Sequence, residues 1–191
     1  MKKVPCWVFG YGSIIWHTDF SFLDAKKAYI HGWERKFWQG SHDHRGTVRS
    51  PGRVVTLIAN AEATCTGRAY LIEPEILEHL DYREKNGYKQ HHIEIAFAQG
   101  DTTEGIVYIA PKENPAFLGP ASVNDIAQQI FKSHGPSGSN TEYFLKLAGS
   151  LRDLGCIDRH ICEIETVLRQ ILSRNYPSIS LDYLIVFFDQ F

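Results

Sequence analysis

RVVTLIANAEATCTGRAYLIEPEILEHL, residues 53–80, changes its hydrophobic period once, and that change decides the fold class. Residues 53–59 are β-branched and bounded by Pro51-Gly52 and Asn60, so they read as a strand. Residues 60–63 read as a turn and 65–72 as a second strand. Pro74 then takes the first position of a helix, with Ile76, Leu77 and Leu80 on one side and Gly87 just past the end, which predicts a helix over 74–86. Upstream, VPCWVF at 4–9 reads as a buried strand ending in the turn GYGS, and the aromatic run KAYIHGWERKFW at 27–38 as another strand. Downstream, strands are predicted at 89–98 and 104–110, around a Gly100-Asp101 turn.

From Ser122 the pattern is helical. Ser122 with Asp125 and Ser139 with Glu142 form capping-box pairs, and helices are predicted over 122–133, 140–153 and 159–174, with GPSGSN at 135–140 as a tight loop. Strands with one embedded helix, followed by helices, predict an α+β fold with an antiparallel or mixed sheet rather than a doubly wound parallel one. No internal repeat or linker breaks the chain, so residues 1–191 read as a single domain. Its tail, 176–191, ends in the apolar SISLDYLIVFFDQF and has no role readable from its residues.

Apolar residues make up 43% of the 191 and aromatic residues 13%, enough for a core without metals or disulfides. Lys and Arg number 20 against 22 Asp and Glu, a formal charge of −2, which leaves no electrostatic footprint for nucleic acid or a membrane surface. No run of about 18 apolar residues offers a membrane span, and MKKVPCWVFGYG is too interrupted for a signal peptide. Cys6, Cys65, Cys156 and Cys162 form no CxxC pair. A reduced, cytoplasmic protein is expected.

Two features suggest chemistry. Glu84 falls on the side of the 74–86 helix marked by Leu77 and Leu80, where a carboxylate loses water and its pKa rises toward neutrality. A group so placed can take and return a proton. The plain alternative is a glutamate at a helix end that reaches solvent or pairs with an arginine, Arg45, Arg53 and Arg83 being the candidates. The second feature is VFGYGSII at 8–15. Gly10 and Gly12 flank Tyr11, and such a turn can take positive φ and aim successive N–H groups at an anion, with Ser13 adding a hydroxyl. The turn lacks the third glycine of a dinucleotide fingerprint and the lysine and spacing of a P-loop, so an ordinary turn is the other reading. His42, His44, His91 and His92 show no HExxH or HxxxH spacing, and no metal site is expected.

With GYGS, FWQGSHDHRG, PGRVVTL, LDYREKNGY, FLGPAS and GPSGSNTEY in order from Trp7 to about Arg152, the chain resembles the glutathione-specific γ-glutamylcyclotransferases, the ChaC-like proteins. The resemblance implies a small, mostly antiparallel barrel-like sheet with packed helices. It implies cleavage of glutathione to 5-oxoproline and cysteinylglycine without metal or cofactor, and glutathione as the one partner. The family's Tyr-Gly-Ser-Leu turn, which holds the γ-glutamyl group, corresponds to Tyr11, Gly12, Ser13 and Ile14, flanked by Gly10 and Ile15. Its catalytic glutamate corresponds to Glu84, a second glutamate to Glu75, and a pocket tyrosine to Tyr143. Ile14 for Leu and Asn86 for a glycine are departures. Two rival readings stay open: a cyclotransferase for other γ-glutamyl amines or amino acids, and a non-catalytic module that binds a γ-glutamyl ligand and regulates a partner.

Overall fold

The change of period after residue 72 is where the sheet meets its embedded helix. The computed structural model describes residues 4–83 and 87–177, with 81–83 as backbone only. The elements are β1 (Cys6–Gly10), a short 3-10 turn (Ser13–Ile15), β2 (Asp24–Ser41), β3 (Gly52–Ile72), α1 (Pro74–Arg83), β4 (Lys89–Phe97), β5 (Thr102–Ile109), α2 (Val123–Lys132), β6 (His134–Gly135), β7 (Gly138–Ser139), α3 (Asn140–Asp153) and α4 (Arg159–Asn175). Strands β1, β3, β2, β4 and β5 are hydrogen-bonded in that order and the sheet closes into a barrel. The pairs β1/β3, β2/β4 and β4/β5 are antiparallel. The closing pair is parallel, with Trp7 opposite Gly105 and Val8 opposite Ile106. The fold is α+β, as the order of periods predicts.

One local outcome differs from the sequence reading, and a second lies outside it. Residues 60–63 do not turn the chain; β3 runs unbroken through them. None of them takes a positive φ. Val55 and Leu57 before the segment, and Cys65 and Ala69 after it, are buried at odd positions, and Thr56, Tyr70 and Ile72 are buried as well, so parts of the strand are covered on both faces. In β2 the phase breaks instead. Ala28 and Ile30 are buried before Gly32, while Arg35, Phe37, Gln39 and Ser41 are buried after it. Gly32 has φ +81 and sits where the strand exchanges its inner and outer faces, as at a glycine bulge.

The chain forms two compact units, residues 1–35 with 56–115 and residues 36–55 with 116–191. In the first unit, Val8, Tyr70, Ile72, Leu80, Ile106 and Tyr108 form a core against which Ile14, Ile76 and Leu77 pack. The apolar side of α1 is therefore the predicted one. Leu80 is fully buried, worth about 1.5–3 kcal/mol for a side chain of its size. In the second unit, α2, α3 and α4 surround Phe37, Phe144, Ile130, Leu147 and Leu168, all without solvent exposure. The serine half of both predicted capping boxes is formed: Ser122 Oγ accepts from Asp125 N–H at 3.1 Å and Ser139 Oγ from Glu142 N–H at 3.0 Å. GPSGSN is a two-stranded hairpin, β6 with β7, in which Gly138 has φ +103. Among the described residues, no helix is long and apolar enough to cross a membrane.

Candidate active site

In the first unit the glycine turn hangs from the end of β1. Neither Gly10 nor Gly12 takes a positive φ, which corrects the conformational role expected of them. Gly10 serves close approach instead. A Cβ there would lie 3.0 Å from Ile14 Cγ2, so a larger residue would push Ile14 away from the strand by a few tenths of an ångström. Tyr11 and Ile15 are buried, while Gly12, Ser13 and Ile14 are half-buried.

The turn's carbonyls all face donors of the protein. Arg35 Nε donates to Tyr11 O at 2.7 Å, and the same guanidinium donates to Thr66 O at 2.5 Å. Ile15 N–H donates to Gly12 O at 3.0 Å, Trp16 and His17 N–H to Ser13 O at 3.1 and 2.9 Å, and Tyr70 Oη–H to Ile14 O at 2.7 Å. Tyr11 Oη–H in turn donates to Tyr108 O at 2.8 Å, tying the turn to β5. Burial pushes the Tyr70 phenol up, against a smaller opposing effect of Arg68, so it stays a donor. The first N–H groups of a 3-10 turn have no acceptor within it, and here they lie at half-buried positions. A backbone whose carbonyls are occupied and whose leading N–H groups remain suits a carboxylate or a developing oxyanion.

Arg35, Tyr70 and Tyr108 are absent from the residues singled out in the sequence. Arg35 is 2% exposed yet lies on a strand whose first buried residues have even numbers, so the shift at Gly32 hides it from an alternation count. Glu75 is exposed in the first turn of α1, where a carboxylate suits the helix N-terminus. Glu84, Lys85 and Asn86 lie outside the described residues, as does the tail from 178, and the side chain of Arg83 is likewise not described.

Tyr143 belongs to the second unit. It is 6% exposed on α3, with its ring 6.1 Å from Phe37 and the Arg45 guanidinium 5.7 Å from its centroid. Arg45 does not await a ligand: Nη1 meets Glu142 Oε2 at 2.9 Å and Ser139 O at 3.2 Å, while Lys146 Nζ takes Glu142 Oε1 at 2.8 Å. Arg53, 6% exposed, bonds only neutral acceptors: Gln129 Oε1 at 2.6 Å, Phe37 O at 2.9 Å and Gly119 O at 3.0 Å. Burial lowers its pKa. Asn140 clasps the Arg53 backbone from both sides, at 2.6 and 2.8 Å. Both arginines are structural. His44 pairs with Ser137 at 2.9 Å, His42, His91 and His92 are exposed, and no group of three metal-ligating side chains occurs among the described residues.

Comparison with known proteins places the chain. The ChaC-like protein family model matches residues 6–171. The chain belongs to the ChaC-like family. It is 43% identical to γ-glutamylcyclotransferase 2-3 of Arabidopsis thaliana, over 88% of this chain and 91% of that one. It is 40% identical to glutathione-specific γ-glutamylcyclotransferase 1 of Danio rerio, over 87% of this chain and 90% of that one. Among solved structures, a yeast γ-glutamyl cyclotransferase specific to glutathione superposes with a TM-score of 0.80 at 31% identity, covering 86% of this chain and 96% of that one. The ChaC-like barrel, with its braced Tyr-Gly-Ser-Ile turn, is thus the frame in which the site stands.

Proposed function

We infer that this chain is a γ-glutamylcyclotransferase that converts glutathione to 5-oxoproline and cysteinylglycine. One observation carries the reading: the braced turn at Tyr11, Gly12, Ser13 and Ile14 stands in a chain 40% identical to a relative named for this reaction. The chemistry is internal. The α-amine of the γ-glutamyl residue attacks its own γ-carbonyl carbon, a five-membered ring closes, and the bond to the cysteinyl nitrogen breaks as that nitrogen gains a proton. No water is consumed and no protein nucleophile is needed. Holding the γ-glutamyl chain curled contributes through proximity, since intramolecular effective molarities reach about 10⁵ M or more.

The amine is mostly ammonium at pH 7, so a base must first remove a proton, and the leaving nitrogen needs one back. A single carboxylate serves both steps, and Glu84 is the residue proposed for it. The turn is proposed to hold the γ-glutamyl group through its N–H groups and Ser13, either at the α-carboxylate or at the tetrahedral oxyanion. Glu75 and Tyr143 are proposed as further substrate contacts. The test incubates purified protein with glutathione, with and without a chelator, and measures 5-oxoproline and cysteinylglycine. Stoichiometric formation of both, unchanged by the chelator, is expected. Failure to form 5-oxoproline from glutathione overturns the reading.

A further inference from the structure

Arg68 stands directly opposite Gly10 in the pairing of β1 with β3. Residues opposite each other on antiparallel strands point to one face of the sheet. On that face a Cβ at Gly10 would lie 3.0 Å from Ile14 Cγ2, so it is the face onto which the turn at Tyr11 to Ile14 folds. Tyr70, two residues on, marks the same side: its Oη–H donates to Ile14 O at 2.7 Å. The Arg68 side chain therefore leaves its strand beside the turn, opposite a residue with no side chain to cover it. All of these residues belong to the first unit.

The charge of Arg68 is not spent within the protein. Its guanidinium lies near enough to the Tyr70 phenol to oppose the upward push of burial, and it meets no carboxylate among the described residues. The other arginines held back from full exposure are committed: Arg35 to carbonyls of the turn and of β3, Arg45 to Glu142, Arg53 to neutral acceptors and Arg169 to Glu165. Arg68 is half-buried, so a solute can reach it while the flanking protein weakens screening by salt. A guanidinium offers a carboxylate two parallel N–H bonds, and here it stands beside a turn whose leading N–H groups add partial positive charge. That corner suits an anionic ligand, and glutathione carries two carboxylates.

We propose that Arg68 is a substrate-binding residue whose guanidinium pairs with a carboxylate of the γ-glutamyl peptide at the turn. This rests on the γ-glutamylcyclotransferase reading, which the parent protein's turnover of glutathione tests separately. The experiment compares steady-state kinetics of the parent, Arg68→Met, which keeps an apolar stem, and Arg68→Lys, which keeps the charge. KM for glutathione is expected to rise about 10-fold in Arg68→Met with kcat within about threefold, and Arg68→Lys is expected to recover part of the loss. Arg68→Gln carries the measurement should the methionine variant not fold. The same substitution is made in Tyr70→Phe, where the phenol can no longer relay an effect to Ile14 O, and the rise in KM is expected to persist. The glycyl ethyl ester of glutathione keeps the γ-glutamyl carboxylate and lacks the glycyl one. An equal rise with both substrates places Arg68 on the γ-glutamyl carboxylate, and a rise with glutathione alone places it on the glycyl carboxylate. A KM within about twofold of the active parent, or a rise that vanishes in the Tyr70→Phe background, shows that Arg68 is only a surface charge or a brace for the phenol, and overturns the proposal.

Discussion

The turn at residues 10–17 and the loop at residues 41–53 both follow a strand, carry glycines at close approaches and hold polar groups out of water. They spend those groups differently. In the loop and the elements it packs on, polar groups meet one another: Arg45 and Lys146 share the Glu142 carboxylate, Ser137 N–H donates to His44 O at 2.9 Å, and Asn140 closes both polar groups of the Arg53 backbone. Within the turn, Arg35 and Tyr70 engage carbonyls, those of residues 11 and 14 among them, so the bracing is one-sided, and the proposed site uses the leading N–H groups. A glycine-rich motif beside buried charge is a lock when its polar groups are closed among themselves, and a binding site when one polarity is left over.

That contrast can be broken in four places. The largest effect is expected from Glu84→Gln, which keeps shape and removes proton transfer: kcat should fall by about 10²–10⁴ with the thermal midpoint near the parent's. A variant that forms 5-oxoproline at the parent rate would remove Glu84 from the mechanism. Glu142→Gln strikes the other region. It leaves Arg45 and Lys146 without their shared carboxylate, and breaking a buried pair costs about 3–5 kcal/mol, read as a shift in urea midpoint. An unshifted midpoint would show that the cluster holds nothing together.

Gly10→Ala is expected to cost about 1–3 kcal/mol and to raise KM, because the new Cβ meets Ile14. Combining it with Ile14→Ala should recover part of both losses, and strict additivity in that cycle would deny the contact. The smallest effect is assigned to Tyr70→Phe, which frees Ile14 O at about 1 kcal/mol. Tyr70 also predicts a pH trend. Its folded pKa is raised, so the folded state keeps the proton longer than the unfolded chain. The phenol's contribution is whole below the unfolded value of about 10 and declines as pH rises from there through the folded value. Denaturation between pH 8 and 11 should show a shallower alkaline decline in Tyr70→Phe.

Local pattern carried much of this molecule. Ile76, Leu77 and Leu80 announce the buried side of α1, and Ser122 and Ser139 announce the starts of α2 and α3, because helix periodicity and capping are settled within one or two turns of chain. Gly10 to Ile15 were legible as a candidate turn, though through the wrong property of glycine. Residues 60–63 look like a turn and are strand, because the pairing of β3 with its neighbours outweighs the local preference.

The sequence by itself determined the α+β class, the helix starts, the apolar side of α1 and the family to which the chain belongs. It did not determine which polar residues point inward. A single bulge at Gly32 exchanges the faces of β2 and carries Arg35 and Gln39 into the buried set. The bracing of the turn was equally a tertiary decision. Tyr11 reaches Tyr108 across 97 residues, and Tyr70 reaches Ile14 across 56. Such contacts exist only once the barrel closes, since no local period records the register of strands that far apart.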